Sequence, residues 1–253
     1  MSKKIFGYFF NKLAAASFSF ALFTIIILFS SDFDLYKFTN DVSYKHLAFI
    51  FFVYGICCSS LIDLLGFKIT QMNKTGIKAV LYAIAGAGFF FALSGINILS
   101  IFAASIGSIF ALFFYFGTYL AKRSKAVTIG LAAGIPILFT ILLSIDFTVK
   151  RNWVEVKEPS SFEASFQYFN GEHRIPIKAR KGQEIFFTID LENKNGGGHG
   201  YHVKNKYGTL QPMEEVLEKE MKMKVKKNGT YFITITADNL EGRYKVNWEV
   251  ADK

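Results

Sequence analysis

A chain of 253 residues that is 51% hydrophobic and 17% aromatic, with 29 phenylalanines, is too apolar for an ordinary water-soluble domain. Its net charge of +9 does not make it a nucleic-acid binder, because the excess sits in one half. Residues 1–151 carry 13 Lys and Arg against 5 Asp and Glu, whereas residues 152–253 carry 16 against 15.

Lys3, Lys4 and Lys12 precede the charge-free run Leu13–Phe29, which reads as an uncleaved signal-anchor and a first span at about 13–30. A loop with Asp32, Asp34, Lys37, Asp41 and Lys45 leads to a second span at 46–66, whose one charge, Asp63, lies near its end. Ile77–Leu120 then gives 44 nearly unbroken apolar residues. As one helix this would be about 66 Å long at 1.5 Å per residue, roughly twice a bilayer core. It must fold back, and Ser94-Gly95-Ile96-Asn97 is the turn, giving spans at 77–93 and 98–120. Lys122, Arg123 and Lys125 precede Ala126–Ile145, 20 residues without a charge, the core of a fifth span at 126–146.

With the N-terminus in the cytoplasm, the inner segments hold nine Lys and Arg and the outer loops hold two, Lys37 and Lys45. This asymmetry predicts a multi-pass protein of a bacterial cytoplasmic membrane, with the chain from about 148 onward outside. Small residues at four-residue spacing mark helix packing: Ala103, Gly107 and Ala111 in the fourth span, and Gly130 and Gly134 in the fifth. Their ordinary use is packing within one bundle. Pro136 should kink the fifth helix. The ionisable residues nearest the spans, Asp63 and Asp146, sit at span ends, so no relay of buried charges is expected. Cys57 and Cys58 are adjacent and read as apolar packing residues.

After Trp153 the hydrophobic period becomes two. Phe162, Ala164, Phe166 and Tyr168 alternate with polar residues, as do Ile175, Ile177 and Ala179, then Ile185, Phe187, Ile189 and Leu191. Met221, Met223 and Val225 follow, then Tyr231, Ile233, Ile235 and Ala237, and last Tyr244, Val246, Trp248 and Val250. Turns are expected at Asn170-Gly171, Lys181-Gly182, Asn228-Gly229 and Glu241-Gly242, and a short helix over 213–220. The pattern predicts a five-helix transmembrane domain over 1–150 followed by an extracytoplasmic antiparallel β-sandwich over 151–253.

The motifs Phe-Asn-Gly at 169–171, Lys-Gly-Gln-Glu-Ile-Phe-Phe at 181–187, Asn-Gly-Thr-Tyr-Phe-Ile-Thr-Ile-Thr at 228–236 and Gly-Arg-Tyr-Lys-Val-Asn-Trp at 242–248 carry a resemblance. Residues 160–250 resemble the jelly-roll sandwiches of the bacterial pre-peptidase C-terminal type; the helical half resembles no known family. The resemblance implies a non-catalytic accessory or binding module.

The most unusual stretch of the second half is Gly196-Gly197-Gly198-His199-Gly200-Tyr201-His202, a loop permissive enough to meet a partner or ligand, with Tyr207 close by. His199 and His202, with His173, are the candidate metal ligands, although no carboxylate or thiol stands at ligand spacing. A flexible hairpin tip is the simpler reading of this loop. Lys222, Lys224, Lys226 and Lys227 read as a lysine-protected edge strand. No GxSxG, HExxH or phosphate-binding glycine loop occurs, so no catalytic residue and no cofactor is predicted. Three functions remain in view. The first is a displayed module for binding, sensing or assembly, with the lipid bilayer and another membrane protein or a surface polymer as partners. The second is a component of a transport or export system. The third is a membrane enzyme working at the outer interface through groups such as His46 or Asp146.

Overall fold

The computed structural model describes residues 2–43, 45–217 and 219–252. The chain divides into two compact units, Met1–Asp146 and Phe147–Lys253. The first is helical. Among the described residues five helices are long and apolar enough to cross a membrane: Ile5–Ser30, His46–Lys68, Thr75–Ser94, Ile98–Arg123 and Lys125–Ser144. This fits a multi-pass membrane protein.

Helix α1 (Ser2–Ser30) begins well before the apolar run, so Lys12 lies inside it. The short α2 (Leu35–Val42) is capped by Asp34, whose side chain accepts from the Lys37 N–H. The second long helix is built from α3 (Lys45–Ala48), a π-helical turn (Phe49–Tyr54) and α4 (Gly55–Lys68). The expected reversal after Ser94 is present. α5 (Thr75–Ser94) stops at Gly95, and α6 (Ile98–Arg123) starts on a capping box in which Asn97 and Ser100 satisfy each other's backbone N–H groups. The fifth helix comprises α7 (Lys125–Ile129), a second π turn (Gly130–Gly134) and α8 (Ile135–Ser144). Pro136 stands in the first turn of α8, and the Ile135 N–H reaches back five residues to the Gly130 carbonyl. A proline cannot donate to the helical ladder; here the neighbouring ladder takes up π register.

Two small-residue contacts set the packing of this unit. A Cβ on Gly86 would strike the Gly107 carbonyl, and one on Gly107 would lie 2.7 Å from the Phe90 ring, so α5 and α6 meet backbone to backbone. A Cβ on Gly117 would lie 3.0 Å from the Ala15 Cα, where the buried Ala14, Ala15 and Ala16 bring α1 against α6. Gly107 and Ala111 of the small-residue stripe thus lie at the contact of α6 with Gly86 on α5. Gly130 and Gly134 make no such contact: nothing lies within 4 Å of a Cβ built on either. The interior is aromatic, with Phe20, Phe51 and Phe110 buried together, while Phe67, Ile98, Leu99 and Phe102 are exposed. An apolar exterior of this extent is the signature of a surface that faces something other than water.

The second unit is a nine-stranded antiparallel sheet: β1 (Val149–Arg151), β2 (Val154–Glu158), β3 (Ser161–Ala179), β4 (Glu184–Asn193), β5 (Gly198–Asn205), β6 (Leu210–Gln211), β7 (Glu214–Leu217), β8 (Glu220–Lys224) and β9 (Gly229–Ala251). β3 and β9 pair along nearly their whole lengths and organise the rest. The first half of β9 lies between β3 and β5, its second half between β3 and β4. β8 and β7 extend beyond β4, and β2 and β1 pair with β3. Residues from both halves bury into one core, so the sheet folds over on itself, an arrangement consistent with a sandwich.

Most of the alternation read from sequence is buried, but Ile189, Leu191, Met221, Trp248 and Val250 are only partly so, and Tyr168 gives way to Phe169 as the core residue. The phase of the alternation also changes within strands. In β3 the inward residues are Phe162, Ala164 and Phe166, then Phe169, Ile175, Ile177 and Ala179. In β9 they are Tyr231, Ile233, Ile235 and Ala237, then Leu240, Tyr244 and Val246. The pairing register shifts between Phe166 and Gly171, and a one-residue slip exchanges the two faces. Asn170-Gly171 and Glu241-Gly242 are thus bends inside long strands and not hairpin turns. Gly171 (φ 133°) and Gly242 (φ 151°) hold conformations open to glycine, and Thr148 and the Glu192 carbonyl leave no space for a side chain at either. Asn228-Gly229 joins β8 to β9, which do not pair, so it too is a crossover. The expected helix over 213–220 is replaced by β7 and the start of β8, with Glu218 outside the described residues. Its Glu-Glu-Val-Leu pairs antiparallel with Glu220–Lys222, and this tertiary pairing overrides local helix propensity. β7 covers β8 from Glu220 to Lys222, so Lys222 is not on an edge and its Nζ lies 3.9 Å from Glu214 Oε2, while Lys224 pairs with β4 alone and Lys226 and Lys227 follow the strand. The β2 edge carries exposed charges, Glu155 and Lys157, paired at 2.9 Å.

Gly107→Leu should lower the thermal stability of the detergent-solubilised chain by the equivalent of about 1–3 kcal/mol through overpacking. Gly130→Leu should leave the melting temperature unchanged, because its side chain meets open space.

Candidate functional site

Four helices of the first unit each carry two polar residues four apart: Tyr8 and Lys12 on α1, Ser59 and Asp63 on α4, Lys78 and Tyr82 on α5, Tyr115 and Tyr119 on α6. Residues four apart share a helix face, and the four faces converge. Lys12 is 4% exposed. Its Nζ donates to Asp63 Oδ2 at 2.6 Å and to Ser59 Oγ at 2.5 Å. Tyr8 donates to the same carboxylate oxygen at 3.1 Å, and Lys78 Nζ donates to Asp63 Oδ1 at 3.2 Å. Ser59 Oγ is also hydrogen-bonded to the Tyr82 hydroxyl. The Tyr82 ring stacks on Tyr115 at 4.8 Å, and the Tyr115 and Tyr119 hydroxyls are 2.6 Å apart.

Asp63 is thus not an isolated group at a span end, and Lys12 is not a solvated flank. One carboxylate answers two ammonium groups, leaving the cluster with a surplus positive charge. A lysine nitrogen beside a serine hydroxyl is also the geometry of a nucleophile and its base. Here the ammonium is ion-paired with Asp63, so it has no lone pair to accept a proton, and Ser59 is fully buried, where no substrate reaches it. The cluster ties α1, α4 and α5 together at one level of the bundle.

In the sheet unit, the glycine-rich loop is ordered by its asparagines. Asn193 Oδ1 accepts from the Gly196 N–H at 2.7 Å, and Asn195 Oδ1 accepts from the N–H groups of Gly197 and Glu241 at 3.0 Å each. A Cβ on Gly197 would lie 2.6 Å from the Asn239 carbonyl. The stretch is a tight corner that carries the chain from β4 to β5, and Gly198 to His202 are strand residues paired with β9. His199 and His202, three apart on β5, project to opposite faces. His199 is exposed and His202 half-buried; burial, then the nearby Lys204, lowers the His202 pKa. No group of three His, Cys, Asp or Glu side chains arranged to hold a metal occurs among the described residues.

His173 lies on β3 among aromatic rings. Phe162 stacks on it at 4.7 Å, and Trp153 lies 5.1 Å away. Lys150 Nζ donates to its Nδ1 at 2.6 Å and sits 4.2 Å from the Trp153 ring centroid. Burial first, then the Lys150 charge, pulls the His173 pKa down to about 4. Such a histidine is a neutral packing group at pH 7, already committed to Lys150.

Tyr207 is presented differently. It sits in the turn between β5 and β6 and is 80% exposed. Asn205 Oδ1 accepts from the Tyr207 N–H at 2.9 Å and the Thr209 N–H at 3.0 Å, while Gly208 takes φ 77° and donates to the Asn205 carbonyl. Lys206 Nζ lies 4.9 Å from the ring centroid. Tyr201 and Leu210, both exposed, lie on the adjoining strands. A fixed turn thus holds a large aromatic ring out in solvent. Comparison with protein-family models and with curated proteins returns no match for this chain.

Asp63→Asn should destabilise the solubilised chain by about 3 kcal/mol, the lower part of the range for breaking a buried ion pair, because Asp63 itself is one-third exposed. Lys12→Met combined with Asp63→Leu should recover much of that loss in the same melting experiment. For the sheet unit, the unfolded chain binds a proton at His173 near 6.5 and the folded one only near 4. Stability from this group is therefore full above about 6.5 and is lost as the pH falls toward 4. His173→Gln should flatten that window in denaturant titrations followed by Trp153 and Trp248, the two tryptophans of the chain.

Proposed function

We propose that this chain is a multi-pass protein of a bacterial cytoplasmic membrane that displays its sheet unit outside the cell as a non-catalytic binding module. The observation that carries the recognition step is the Tyr207 turn. Solvent-exposed aromatic rings on hydrogen-bonded turns bind at low entropic cost, because neither backbone nor ring has much freedom left to lose. Leu210, exposed on β6 three residues further on, adds apolar area on the Lys204 face of the β5–β6 pair. The partner is a surface polymer or another membrane protein, and the near-neutral charge of residues 152–253 speaks against nucleic acid. The charge asymmetry of the helix-flanking segments supports the orientation.

A second reading, a component of a transport system, is favoured by the Lys12–Asp63–Lys78 cluster, since buried ions in spanning helices commonly mark transport paths. Flux through liposomes holding the purified chain, abolished by Asp63→Asn, would support transport over display.

A reporter fused after Lys253 should be active only outside the cytoplasm; cytoplasmic activity would refute the orientation. Tyr207→Ala should reduce recovery of co-purifying partners from the native membrane while moving stability by no more than about 0.5 kcal/mol, as expected at an exposed position.

A further inference from the structure

Between α1, the second long helix, α5 and α6 lies a half-enclosed cavity of about 100 Å³. Along the second helix its wall runs from Leu47 to Cys58, and Phe23, Phe89 and Phe110 face it from the other helices. The π turn Phe49–Tyr54 forms part of the wall. Such turns widen a helix locally and cluster at functional sites.

The wall contains three hydroxyls, and each is already committed. Ser19 donates to the Phe110 carbonyl at 2.7 Å and Tyr54 to the Ala85 carbonyl at 2.6 Å, while Tyr82 is bonded to Ser59. Beyond these hydroxyls and the Cys58 thiol the wall side chains are apolar, a poor setting for a water, an ion or a sugar. Apolar cavities of roughly this size, near 150 Å³, stay dry and accept hydrocarbon guests. The charged cluster of Lys12, Asp63 and Lys78 lies beyond Tyr82, outside the cavity.

We propose that this cavity holds a short segment of one hydrocarbon chain of a membrane lipid, the rest of the chain leaving through its open side. The inference rests on the membrane reading of the helical unit. Inside a bilayer, acyl chains are the one abundant species with the chemistry the wall accepts. The headgroup is left outside the site, so selection acts on the chain.

The test uses the intact chain purified from nanodiscs of phosphatidylethanolamine and phosphatidylglycerol and measured by native mass spectrometry. The wild type should retain one lipid after detergent exchange. Cys58→Leu and Cys58→Phe, which fill the cavity, should lose it, whereas Cys57→Phe, at the exposed neighbouring position, should keep it. No retained lipid in the wild type, or equal retention in all four proteins, would overturn the site. A second measurement needs no variant. Alkylation of the Cys58 thiol by an uncharged reagent should be slow in lipid-loaded chain and faster after delipidation, with Cys57 unchanged; equal Cys58 rates would refute occupancy. A chain missing from the membrane fraction would overturn the membrane reading itself, while a membrane-bound chain without lipid would overturn the cavity assignment alone.

Discussion

The pairing of β3 with β9 is the constraint on which the sheet unit depends. Each strand is too long to keep one face inward over a closed core. Each therefore slips phase once, β3 between Phe166 and Phe169 and β9 between Ala237 and Leu240. The two slips flank the Phe169–Leu240 pair, so the strands turn together and hydrogen bonding resumes on the far side. Every other strand is added to one half or the other of this bent pair. The glycines at the bend are spaces for neighbouring backbone: Thr148 at Gly171, the Glu192 carbonyl at Gly242, the Asn239 carbonyl at Gly197.

In the helical unit, two kinds of close approach act at different depths. Gly86 and Gly107 let α5 and α6 touch through backbone, where dispersion between flat surfaces is the available attraction. Lower on α5, Lys78 and Tyr82 enter a polar cluster whose strength comes from charge in a dry setting. The first contact tolerates no added atom. The second tolerates no lost partner, since removing Asp63 would leave the Lys12 ammonium buried without a counter-charge. The proposed acyl-chain cavity runs from Tyr82 past the Gly86–Gly107 contact to Phe90, walled on one side by the π turn.

Much of this was legible from residues alone. The five apolar runs and the reversal at Gly95 follow from length and charge, and the inward set of the sheet follows from a period of two. What escaped had physical causes. The phase slips resembled strand ends, because Asn-Gly and Glu-Gly signal a turn whether or not the chain reverses there. β5 was hidden in the glycine-rich stretch because its pairing with β9 comes from tertiary context. Lys12 was read as a flank because the apolar run begins at Leu13, although the helix begins eleven residues earlier, at Ser2. The i, i+4 polar pairs on four helices were visible in the sequence. What gave them meaning was that their faces converge.

The turn between β5 and β6 separates shape from contact. Asn205 and Gly208 make its hydrogen bonds and backbone geometry, whereas the Lys206 and Tyr207 side chains carry its outward chemistry. Exchanging the two outward side chains leaves the turn's own bonding intact, because the Tyr207 N–H that Asn205 holds belongs to the backbone. The outward chemistry of this tip can therefore change by two residues without renegotiating the fold.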